Sequence, residues 1–220
     1  LGSDFFYYTS GSNPKILIHT GTHGDEWEVI GLVEQVLRKM RHHLPSFMFV
    51  PMVTPSGVAK RTRVNNRKLD LNRKFFDDSD DPEILANMKI LKEKKFDLFV
   101  SIHEDPLETN YYLYDVGYGK TVNKLVLDHN QILKKRGIGL LNGVDDESDP
   151  HLGYLFVEGY KKFVHPENYP DDGTISAWVL NRRIAKDYLL PEIPGKANLE
   201  TKKYIVESFF EEVVQKMMLK

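Results

Sequence analysis

The chain has 220 residues, a formal net charge of −2, 41% hydrophobic and 28% charged residues, and no cysteine. This is an ordinary globular balance, long enough for a packed core without covalent staples. It excludes disulfides and thiolate metal sites, so any metal must be held by His, Asp or Glu, and it offers no global basic field to nucleic acid.

No apolar run approaches the length of a bilayer span, and "LGSDFFYYTS" at the start is too polar and too short for a secretory signal. The expectation is a cytoplasmic protein without a membrane or nucleic-acid partner. Whether a segment was removed before Leu1 stays open, as does the oligomeric state.

In chain order, "KILIHT" (Lys15–Thr20) reads as a buried strand. From about Asp25, the spacing of Val29, Ile30, Val33, Val36, Leu37 and Met40 predicts an amphipathic helix. "FMFVPMV" (Phe47–Val53) reads as a second strand, interrupted by Pro51. A polar loop rich in Arg and Asn follows to about Asp81. "DPEILANMKILKEK" reads as a helix with Asp81 as N-cap and Pro82 at its first position. "FDLFVSIH" (Phe96–His103) is a third strand and "YYLYDV" a fourth. Thr121–Arg136 reads as a helix stopped by Gly137. Asn142–Pro150 is a polar loop, and "YLFVEGYKKFV" reads as extended. Thr174–Ala185 reads as a helix, "DYLLPEI" as a short strand, and Leu199–Leu219 as a closing helix.

Alternating strands and helices predict an α/β fold: a mainly parallel, mixed sheet with helices on both faces, in a single domain spanning 1–220. In such sheets ligands bind beyond the carboxyl ends of the strands. The polar clusters all follow strands: His23 and Glu26, Arg61–Arg73, His103, and Glu192. Their convergence predicts one site.

In "HGDE", His23 and Glu26 sit on a turn where both side chains can aim at one ion, with Gly21 and Gly24 giving the backbone room. Alone this spacing is weak, because acidic residues also favour helix starts. "SIHED" adds His103 at a strand end. A His-Glu-His set with one open position has the make-up of a catalytic rather than a structural metal site. "KRTRVNNRKLDLNRKF" (Lys60–Phe75) offers guanidinium forks suited to a carboxylate or phosphate. The adjacent acidic run "DDSDD" would repel a nucleic-acid backbone.

Taken together, "HGDE", "TRVNNRKLDLNRKF" and "SIH" resemble the zinc carboxypeptidase family, whose superfamily also includes aspartoacylase and succinylglutamate desuccinylase. The resemblance runs from about Lys15 to the C-terminus. It implies one zinc ion bound by His23, Glu26 and His103. It implies that Arg63, Asn72 and Arg73 grip a substrate carboxylate or polarise the scissile carbonyl, with Arg61 the competing choice for Arg63. Asp70 would hydrogen-bond a ligating histidine, expected to be His23. Glu192, in "DYLLPEIP", would deprotonate the zinc-bound water and later protonate the leaving amine. "YPDDGTISAW" resembles the segment carrying the mobile tyrosine of carboxypeptidases. Tyr169 is therefore the expected substrate-closing phenol, and Ser176 or Ile175 would lie by the pocket for the terminal side chain. Asp171 or Asp172 could bias that pocket toward a basic group.

The resemblance implies a zinc metallohydrolase: a metallocarboxypeptidase or, alternatively, a deacylase of N-acyl amino acids. Either substrate would carry a free carboxylate. Only a helix follows Glu192 in this sequence, which leans the expectation toward the peptidases. Glu104 and Asp105, next to His103, are left without a role, as are His19, His42, His43, His129, His151 and His165.

Overall fold

The computed structural model describes residues 4–149 and 152–219, so Pro150 at the end of the predicted polar loop and His151 lie outside the described residues. The elements alternate as the apolar pattern predicts. In chain order they are β1 (Tyr8–Thr9), β2 (Ile16–His19), α1 (Glu28–Met40), β3 (Phe47–Val50), α2 (Pro55–Lys60), α3 (Pro82–Leu91), β4 (Phe96–Ser101) and β5 (His103–Asp105). They continue with β6 (Tyr112–Gly117), α4 (Lys124–Lys135), β7 (Gly143–Val144), β8 (Leu155–Phe156), β9 (Tyr160–Val164), α5 (Ile175–Asn181), β10 (Ala185–Pro194), α6 (Leu199–Phe209) and α7 (Gln215–Met218).

The main sheet has the order β1-β3-β2-β4-β10-β6-β9, with β5 also on β10. The β3–β2, β2–β4, β4–β10, β5–β10 and β6–β9 pairs are parallel, while β1–β3 and β10–β6 are antiparallel. The period-2 alternation of strand side chains sorts the core onto two faces. Ile16, Ile18, Phe47, Phe49, Leu98 and Val100 pack with α1, α4 and α6. Leu17, Met48, Val50, Phe96, Phe99 and Tyr188 pack with α3 and α5. Strands buried on both faces read as unbroken apolar runs, as "ILI" and "FMFV" do.

Several boundaries differ from the sequence reading. The first helix begins at Glu28, not near Asp25, so residues 23–27 form a turn outside it and Asp25 is not a helix-start residue. The second strand ends at Val50, before Pro51. The stretch read as one long loop holds α2 and a 3-10 turn at Leu71–Arg73. Thr174 is the N-cap of α5, which stops at Asn181, and Ala185 already belongs to β10. The closing helix contains a π-helical turn at Phe210–Val214 between α6 and α7. By contrast, Asp81 caps α3 as the sequence predicts, accepting from the backbone N–H of Glu83 and Ile84.

β10 is the longest strand, ten residues with Pro191 inside it. A proline cannot donate to a ladder. Pairing with β4 ends at Leu189 and pairing with β5 begins at Glu192, so Pro191 falls where the parallel ladder is interrupted. Ile102 is the matching break between β4 and β5. Among the described residues, no helix is long and apolar enough to cross a membrane.

Candidate metal centre and substrate cleft

The turn after β2 places His23 and Glu26 together. Gly24 permits it: a Cβ there would lie 2.0 Å from the carbonyl carbon of Gly57 at the start of α2. His103, the first residue of β5, joins them through the pairing of β2 and β4. The three residues are buried, and one ligand atom from each lies within 4.8 Å of the others. His23 Nδ1 contacts Glu26 Oε1, and His103 Nδ1 lies 3.0 Å from Glu26 Oε2. Each imidazole faces a polar oxygen at its other nitrogen, with a hydrogen bond only for His103. His23 Nε2 lies 3.3 Å from Asp70 Oδ1, and His103 Nε2 lies 3.1 Å from Ser101 Oγ. Both rings thus turn Nδ1 inward, the orientation that outer partners impose on ligating histidines.

The charges are strongly linked. Burial alone would lower the His23 pKa, but the Glu26 carboxylate and Asp70 outweigh it and raise it to about 9. Burial would raise Glu26, yet His23 and His103 hold its carboxyl far below the usual range. A buried proton bridging carboxylate and imidazole is what a divalent cation replaces on binding. Two imidazoles and a carboxylate, with no thiolate, form a donor set that suits zinc.

Asp70 caps the 3-10 turn by accepting from the Asn72 N–H, and its second oxygen lies 3.0 Å from Arg63 Nε. It therefore links Arg63 to His23. Arg61 points elsewhere: its guanidinium stacks over Trp27, 3.9 Å from the ring centroid. Asn72 Oδ1 accepts from the Ile175 N–H, tying this turn to the start of α5. Arg73 Nη2 donates to Asp149 at 2.7 Å.

Glu192 lies within β10, in register with His103 on one side and Tyr112 on the other. The sequence reading put it in the short strand "DYLLPEI", which in the structure runs from Ala185 to Pro194. Burial, then the charges of Glu26 and Asp105, push its carboxyl well above the usual range, with Arg63 offsetting part of this. Asp105 accepts from Tyr112 OH at 2.9 Å. Glu104 turns the opposite way, to Lys202 at 2.7 Å, and its backbone N–H lies 3.3 Å from Glu26 Oε2.

Tyr169 donates to Asp172 at 3.1 Å, and burial followed by the Asp172 charge raises its pKa to about 12. Ser176 Oγ lies 3.0 Å from Thr174 Oγ1. Asp171 turns to Arg182 and Asn181 and does not line the cleft, whereas Asp172 does.

The structure brings His23, Glu26, Arg63, Asp70, Asn72, Arg73, His103, Tyr169, Ser176 and Glu192 to one cleft of about 650 Å³. Arg61 and Ile175 are not among its lining residues. The sequence reading missed an aromatic wall. Tyr114 and Tyr154 pack edge-on at 6.0 Å, Tyr154 and Phe163 at 5.9 Å, and His165 and Tyr169 lie at 5.1 Å. The available signal was alternation in "YYLYDV", where Tyr112 and Tyr114 share one sheet face. Knowing which face lines the cleft required the tertiary fold.

Residues 12–101 match the family described as the succinylglutamate desuccinylase/aspartoacylase catalytic domain. No curated protein matches the sequence. Among solved structures, a protein assigned as a metallopeptidase from Shewanella denitrificans aligns with a TM-score of 0.69 at 18% identity, over 96% of this chain and 79% of its own. A metallo-carboxypeptidase from Burkholderia cenocepacia aligns with a TM-score of 0.63 at 16% identity, over 97% of this chain and 61% of its own. A succinylglutamate desuccinylase from Silicibacter aligns with a TM-score of 0.58 at 13% identity, over 94% of this chain and 58% of its own. At such identities the structural likeness shows a common fold. The chain thus shares its fold with these structures over nearly its whole length, and residues 12–101 resemble the succinylglutamate desuccinylase/aspartoacylase catalytic domain in sequence.

Proposed function

We propose that this protein is a zinc-dependent metallocarboxypeptidase that hydrolyses the amide bond next to a free carboxylate. The observation that carries the reading is the meeting of His23, Glu26 and His103 with Glu192 in a cleft that also presents Arg63, Asn72 and Arg73. His23, Glu26 and His103 would hold the ion. When bound, zinc supplies Lewis acidity that acidifies a water and polarises a carbonyl.

The chain's own groups supply the rest. Glu192 accepts a proton at its carboxylate and returns it to the leaving amine, a task suited to a carboxyl whose affinity for the proton is raised by burial and neighbouring carboxylates. Arg63, oriented by Asp70, faces the cleft as a fixed positive charge for the oxygen that becomes anionic. Asn72 and Arg73 bind the terminal carboxylate, and Tyr169 closes over the substrate. The aromatic wall excludes water and accommodates the flanking side chain.

A second reading, deacylation of an N-acyl amino acid, is favoured by the family matched over residues 12–101. The experiment is metal analysis of the purified protein together with a mass-spectrometric screen of peptides, their C-terminal amides and N-acyl amino acids. Loss of one C-terminal residue from free acids, but not from amides, is the expected result. Release of an acyl acid with no peptide cleavage would replace the first reading with the second. Absence of any hydrolysis by zinc-loaded protein would refute both.

A further inference from the structure

Arg73 has a partner already. Its Nη1 donates to the Asn72 carbonyl at 2.9 Å, and its Nη2 donates to Asp149 Oδ2 at 2.7 Å. The two side chains are only 19% and 23% exposed. A substrate carboxylate held in bidentate fashion needs two parallel N–H groups of the same guanidinium. Asp149 takes one of them and brings a second negative charge to the same place.

The backbone that carries Arg73 is held in place. A Cβ on Gly173 would lie 2.4 Å from the Arg73 carbonyl oxygen, so the two backbones are in contact. The Phe75 N–H donates to the Gly173 carbonyl at 2.9 Å, and Asn72 is tied to Ile175. Asp149 lies on the connection between β7 and β8. Asp146 and Asp172 also line the cleft, so a carboxylate entering here meets an acidic surround.

We infer that Asp149 is a specificity-determining residue: its carboxylate competes with the ligand's carboxylate for Arg73 and so sets how tightly the cleft takes acidic ligands. The inference rests on the reading of Arg73 as the carboxylate-binding group. A ligand without a carboxylate gains nothing by displacing Asp149. A ligand with one binds only as far as it outcompetes an intramolecular anion at high effective concentration.

The test is calorimetric titration of the zinc-loaded, full chain with succinate, and with neutral succinamide as control. Asp149→Asn is expected to bind succinate roughly two- to fivefold more tightly than wild type, the upper part of the range measured for ion pairs converted to affinity. Its affinity for succinamide is expected to be unchanged. Asp149→Glu, which restores the charge, should return succinate affinity toward wild type and also guards against a fold defect in the amide variant. In an Arg73→Gln background, Asp149→Asn should have no effect on succinate. Succinate binding to Asp149→Asn no tighter than to wild type, including none at all, overturns the inference. So does a gain that persists without Arg73. Because these titrations involve no turnover, a protein that shows the gain but hydrolyses nothing would sink the hydrolytic reading and leave the competition standing. Hydrolysis of free acids without the gain would do the reverse.

Discussion

Glu26 and Glu192 show how far two carboxylates of one cleft can be driven apart by their neighbours. Glu26 lies between two imidazoles and stays ionised far below the usual range. Glu192 faces other carboxylates from a buried strand and is pushed up. Such divergence supports the proposed roles, Glu26 as a ligand and Glu192 as a group that exchanges protons. Glu192→Gln keeps the size of the side chain and removes its basicity. The expected outcome is a fall in kcat of roughly 10²- to 10⁴-fold with metal content unchanged, measured by product formation and elemental analysis. Loss of the metal together with activity would move Glu192 from proton transfer to metal retention. At this scale the sequence was informative where residue type and chain order sufficed, as for His23, Glu26 and His103. It was silent on Asp149, because no spacing rule connects it to Arg73 across 76 positions.

The elements hold these side chains in place through a few buried polar ties. β5 is short, and Glu104 anchors it to α6: the Lys202 ammonium, 1% exposed, lies 2.7 Å from Glu104 and 2.5 Å from Glu28 on α1. The same residue's backbone N–H meets Glu26. This gives Glu104, which the sequence left without a role, a structural one. Lys202→Met would leave a buried carboxylate unpaired and is expected to destabilise the fold by about 3–5 kcal/mol, read by chemical denaturation. The double variant with Glu104→Leu removes both charges and should recover most of the loss. A Lys202→Met protein as stable as wild type would show that α6 does not hold β5 through this pair. α2 escaped the sequence reading because six residues containing proline and glycine carry too short an apolar period to register. Its position is fixed instead by the contact of Gly57 with Gly24.

Across the whole molecule, the sheet separates two apolar layers and opens the cleft at the strand ends, where parallel sheets bind ligands. Far from the cleft, His129 on α4 is fully buried against Ser208 of α6 at 3.0 Å, and burial lowers its pKa from 6.5 to about 4. Between those two values the unfolded chain binds the proton and the folded chain does not. Stability from this group is therefore complete above pH 6.5 and is lost as pH falls toward 4. At pH 5 the loss is expected to reach about 2 kcal/mol relative to pH 7. Denaturation curves at both pH values, compared between wild type and His129→Gln, isolate the effect. An equal pH dependence in the two proteins would exclude His129 as its source.

By itself, the sequence determined the alternation of strands and helices, the N-cap of α3 and the identity of the chemically capable residues. These follow from local periodicity, from backbone preference and from the small number of side chains that can ligate or titrate. Only the tertiary structure decided which of those residues meet. It stacked Arg61 on Trp27 away from the cleft, set Glu192 in register with His103, and paired Arg73 with Asp149. The reason is physical. A residue's type and its local conformation are written within a few neighbours, whereas register across a sheet and the partner of a charge depend on the packing of the whole chain.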